Sequence, residues 1–189
     1  MVLFNGIIGH SFNEDEILAI AEFLNSIKPD VQPCLSFLQK YIAPEYAQID
    51  WQWATREGHA SYEHFQVNWN VVVDEGNMFS AKISKRLFCL QCGYLIRWSE
   101  FLREPLATEG LRCLCRTLAK ILGSESIIYV PDSGGPPSGV SGLLYSDAGI
   151  KDAVGWLQTN CGPPAETILS IFPDGAKVID ENGYYLEVV

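Results

Sequence analysis

FQVNWNVVVDEGNMFSAKIS, Phe65 to Ser84, is the stretch that decides the fold. Phe65, Val67, Trp69, Val71 and Val73 alternate with His64, Gln66, Asn68, Asn70 and Val72. After the turn Asp74-Glu75-Gly76-Asn77, Phe79, Ala81 and Ile83 alternate with Ser80, Lys82 and Ser84. Side chains along a strand point to opposite faces in turn, so a period of two with one apolar set marks antiparallel strands, one face buried and one wet. Just upstream, Ile49, Trp51 and Trp53 alternate with Asp50, Gln52 and Ala54, which makes three strands in a row and predicts a meander.

Moving toward the start, the period becomes helical. Asn13 can cap a helix, Glu16 stands three residues on as in a capping box, and Phe12 with Ile17 fits a hydrophobic staple. Ile17, Ile20, Leu24 and Ile27 form one apolar face and Pro29 stops it. A second helix is expected from about Pro33 to Pro44, with Phe37, Leu38, Tyr41 and Ile42 inward, and a short buried strand at 3–9.

Downstream, the apolar run at 87–98 fits strand or helix, and Gly93 weakens either assignment. Over 106–122, Leu111, Leu114, Cys115, Leu118 and Leu122 share one helical face while Arg112, Arg116 and Lys120 lie opposite, and Gly123 is a natural end. Ser126 to Val130 is β-branched and reads as a buried strand leading into PDSGGPPSGVSG, 131–142, a Gly/Pro-rich loop. A last helix is expected from Ile150 to Asn160, then strands at 167–172, 176–180 and 184–188 joined by Pro-Asp-Gly and Glu-Asn-Gly turns.

Clustered strands and clustered helices predict an α+β protein rather than regular βαβ alternation. The expectation is a single compact domain over 1–189, with antiparallel meander sheets packed against about four helices. The one place for an internal boundary is near 86–105, where no polar linker stands.

The chain carries 23 acidic and 13 basic residues, a formal charge of −10, which repels phosphate backbones and so excludes nucleic acid as the expected ligand. It favours docking on a basic protein. No apolar run approaches the ~20 residues of a spanning helix, and Met1 to Phe12 holds no Lys or Arg. The expectation is therefore a cytoplasmic protein without a membrane partner. The six cysteines are expected to be reduced and to act as small hydrophobes.

Four of those cysteines raise the question of zinc: Cys89-Leu90-Gln91-Cys92 and Cys113-Leu114-Cys115. Residues two apart on a helix point about 200° from each other, so Cys113 and Cys115 cannot both face one ion, and no metal or other cofactor is expected. The same helix puts Cys113 on the basic side, as the thiol most open to solvent. The glycine-rich loop fails the phosphate-loop test because no lysine falls between Lys120 and Lys151. It also misses the G-x-S-x-G elbow by one residue, in Gly139-Val140-Ser141-Gly142.

Acid–base chemistry has one location, Arg56-Glu57-Gly58-His59-Ala60-Ser61-Tyr62-Glu63-His64, where His59 or His64 could work with Glu57 or Glu63. These features support two expectations. The favoured one is a small acidic protein-binding domain that neutralises a basic partner protein or toxin. In size, charge and lack of a catalytic motif it is comparable in general character to the acidic immunity proteins of bacteria. Its interface would draw on Asp50, Glu57, Glu63, Asp132 and Asp147 and on the 131–142 loop. The alternative is a small intracellular enzyme, hydrolase-like, using the histidine–glutamate pair at 57–64.

Overall fold

A computed structural model of the chain describes residues 2–9, 52–57, 67–73, 76–83, 86–94, 105–131, 139–143, 148–171 and 183–189. Among these residues seven strands lie in one sheet: β1 (Val2–Gly9), β2 (Gln52–Glu57), β3 (Val67–Val73), β4 (Gly76–Ile83), β5 (Leu87–Tyr94), β6 (Ser126–Pro131) and β7 (Tyr185–Val188). Their order is β2-β3-β4-β5-β1-β6-β7 and every neighbouring pair is antiparallel. The first strand in sequence is thus an inner strand of the sheet. β1 pairs with β5 from Val2↔Tyr94 to Gly9↔Leu87, and on its other side with β6 from Phe4↔Pro131 to Ile8↔Ile127. Between β3 and β4 the register shifts at Val71/Val72, where Val71 faces Phe79 and Val72 faces Asn77, leaving Met78 as the extra residue of a bulge.

Among the described residues two helices of several turns accompany the sheet. α1 (Pro105–Ile121) begins on proline, whose fixed φ suits a first helical position and whose missing N–H costs nothing there. It ends in a Schellman motif. Gly123 takes φ 65°, its N–H bonds to the Lys120 carbonyl at 3.2 Å, and the Ser124 N–H bonds to the Ala119 carbonyl at 2.8 Å. A short helix, α2 (Gly139–Leu143), precedes α3 (Ile150–Cys161). At the start of α3 the Asp152 carboxylate accepts the Gly149 N–H at 2.7 Å, and at its end Gly162 turns the chain at φ 81° before two prolines.

The helices cover opposite faces of the sheet. Leu87 and Cys89 of β5, Ile128 and Val130 of β6 and the buried Tyr184 form one core with Ala153 and Leu157 of α3, flanked by Ile150, Val154, Trp156 and Leu186. The alternate residues of the same strands, Phe88, Leu90, Ile127 and Tyr129, are equally buried, as are Cys115, Leu118, Ala119 and Leu122 of α1. Since neighbours along a strand point opposite ways, α1 lies on the face that α3 does not. Each fully buried Leu, Ile, Phe or Val contributes roughly 1.5–3 kcal/mol, and β5 and β6 each place such residues on both sides.

The expectation of an α+β fold with meander sheets against about four helices is therefore corrected. The described residues contain two helices of several turns and the short α2, with their strands in a single sheet. The helices expected near 13–28 and 33–44 lie outside the described residues. The 87–98 run, open between helix and strand by periodicity, is strand β5 at 87–94, because a strand covered on both faces shows an unbroken apolar run instead of alternation. The expected strand at 167–172 is a 3-10 helix, Ile168–Ile171. There the Ser170 N–H bonds to the Thr167 hydroxyl at 3.2 Å and the two hydroxyls meet at 2.6 Å, a local alternative to extended pairing. Of the expected 131–142 loop, Pro131 ends β6 and Gly139 onward is helical, while 132–138 lie outside the described residues, as does the expected strand at 176–180.

Candidate functional site

Of the acid–base and interface candidates, Glu57 alone falls on the described chain. It closes β2, its Cα opposite Val67 of β3. Asp50, His59, Glu63, His64, Asp132 and Asp147 lie outside the described residues. The rest of the histidine–glutamate segment, 58–64, falls between β2 and β3 in sequence and lies outside the described residues.

The densest polar constellation among the described residues lies elsewhere, where β7 passes beneath α1. Glu187 stands on β7 opposite Ile127 and is only 5 % exposed. Arg112 and Arg116 are one turn apart on α1 and so project from the same side of it. The Arg112 guanidinium grips both oxygens of Glu187, Nη2 donating to Oε1 at 2.9 Å and Nε to Oε2 at 3.2 Å. The Arg116 Nε donates to Oε1 at 2.6 Å, and its Nη2 also pairs with that oxygen. Glu109, a turn earlier, lies 3.2 Å from Arg116 Nη1 and 3.6 Å from Arg112 Nη1. Two aromatic rings complete the arrangement. Tyr185 stacks on Tyr129 with centroids 5.9 Å apart, and the Arg112 guanidinium carbon sits 6.0 Å from the Tyr185 centroid.

The electrostatics follow from this geometry. Burial works against a charged Glu187, but the hydrogen bonds from Arg112 and Arg116 outweigh it and hold the carboxyl below its ordinary range. Burial above all pushes the Tyr129 hydroxyl far up, so it stays protonated. Burial likewise pushes the Cys161 thiol and the Tyr184 hydroxyl up. The Tyr184 hydroxyl donates to the Gly162 carbonyl at 3.2 Å. A general acid or base works best with a pKa near the operating pH, and these groups are moved away from neutrality. Glu187 and its arginines form a structural clamp: the guanidinium donors already hold carboxylates, which leaves them poorly placed to take a substrate anion.

On the other face, a cavity of about 430 Å³ opens between the turn after α1 and the outer side of α3, with Ser124, Glu125, Lys151, Val154, Gln158 and Leu186 among its walls. Its rim carries one acid and one base, and its floor is the margin of the α3 core. Cys89, Cys113, Cys115 and Cys161 stand outside any disulfide; Cys115 is buried while Cys113 is partly exposed, as the angular separation of a C-x-C pair on a helix requires. Among the described residues no group of three or more His, Cys, Asp or Glu is placed to hold a metal ion.

The Glu187 clamp escaped the sequence reading because Arg112 and Arg116 look like the solvated side of an amphipathic helix. The available signal was an acid at every-other spacing from Tyr185 in a strand whose neighbours are apolar. Comparison of the chain with protein-family models, with curated proteins and with solved structures finds no match in any of the three.

Proposed function

We propose that the chain is a small acidic protein-binding domain that acts in the cytoplasm and neutralises a basic partner protein by surface complementarity, in the manner of an inhibitor or immunity protein. The observation that carries this reading is the formal charge of −10 together with the way charge is used inside the structure. The clamp joins two arginines to two glutamates and is neutral. The whole excess of negative charge therefore belongs to the rest of the chain, where it gives a field that attracts a cationic surface and speeds encounter. No helix among the described residues is long and apolar enough to cross a membrane.

The test is affinity capture from an extract of the source cells with the immobilised chain, followed by calorimetric titration of the captured protein. A basic partner should bind at a fixed stoichiometry, with affinity falling steadily as salt is raised across a Debye length of about 30 to 8 Å. Retention of nothing at low salt, or a complex indifferent to salt, would overturn the proposal.

A further inference from the structure

We draw no further inference here: the strongest candidate, the outer edge of strand β7 with the cavity between α3 and the turn after α1 beside it, is a partly apolar strip, and nothing in the structure shows what covers it.

Discussion

At the scale of single residues, Glu187 carries the sharpest expectations. Replacing it by Gln keeps the shape but leaves Arg112 and Arg116 facing a neutral amide. Removing one member of a buried ion pair costs several kcal/mol, and the partial exposure of both arginines reduces that to about 2 kcal/mol here. Urea unfolding at neutral pH should show the loss. The acid dependence has a definite sign. The carboxyl titrates lower in the folded protein than in the unfolded chain. Its contribution is therefore fully present above the ordinary glutamate pKa of about 4.3 and lost as pH falls through that value toward the folded one. Wild type should lose more stability than Glu187→Gln between pH 6 and pH 3, taken as about the span of that titration; parallel curves would show that the clamp does not hold the charge.

Gly139 gives a second residue-level test. A Cβ there would stand 2.5 Å from Cη2 and 2.7 Å from Cζ2 of Trp156, closer than real contacts allow. Gly139→Ala should cost about 1–3 kcal/mol and change the near-ultraviolet signature of the indole. An unchanged melting temperature would contradict the close approach of α2 to α3. Neither residue was legible in the sequence as important. Glycine in a Gly/Pro-rich stretch reads as loop, and a contact between residues 139 and 156 depends on how two helices meet.

At the scale of elements, legibility followed the number of faces buried. α1 was readable at 106–122 and is observed at 105–121, because one side packs on the sheet and the other keeps polar groups. α3 was readable at 150–160 for the same reason, with Gly162 and the prolines marking its end. β5 resisted the same method, since Leu87 to Leu90 are all buried and leave no alternation to detect. The segment 167–172 failed for a different reason: its β-branched residues suggested extension, and the Thr167 and Ser170 hydroxyls favour a tight turn. Two-sided coverage also predicts dynamics. Amide hydrogens of 87–90 and 127–130 should exchange slowest, by way of global unfolding, while those of the β7 edge exchange through smaller openings. Equal protection in all three strands would count against the layered arrangement.

At the scale of the whole molecule, β1 joins what the sequence suggests as two β regions. The strand near 3–9 was legible, yet its position was not, because pairing partners 78 or more residues away (87 minus 9) leave no local mark: Ile7 faces Cys89 on one side and Ile128 on the other. A proline at that point removes a hydrogen-bonding group from the inside of the sheet. Ile7→Pro should abolish the cooperative unfolding transition. Val188→Pro should cost less than about 1 kcal/mol. The Val189 N–H already points inward to the Glu125 carbonyl, so by alternation the Val188 N–H faces the outer edge. Circular dichroism melts of both variants would check the pair, and similar losses for the two would place β1 and β7 in equivalent positions.

The inner position of β1 also sets a schedule for the growing polypeptide. Val2 pairs with Tyr94, 92 residues further along (94 minus 2), and no strand made before β5 takes either of its edges. At a synthesis rate of ~5–20 residues per second, β1 waits roughly 5 to 18 seconds for its first partner and longer for β6. Throughout that interval it presents two open edges to any extended chain nearby. Such distant pairing makes folding slow. Slowing translation before β5, or withdrawing the chaperones that shield nascent strands, should therefore lower the yield of folded protein while leaving the stability of molecules already folded unchanged.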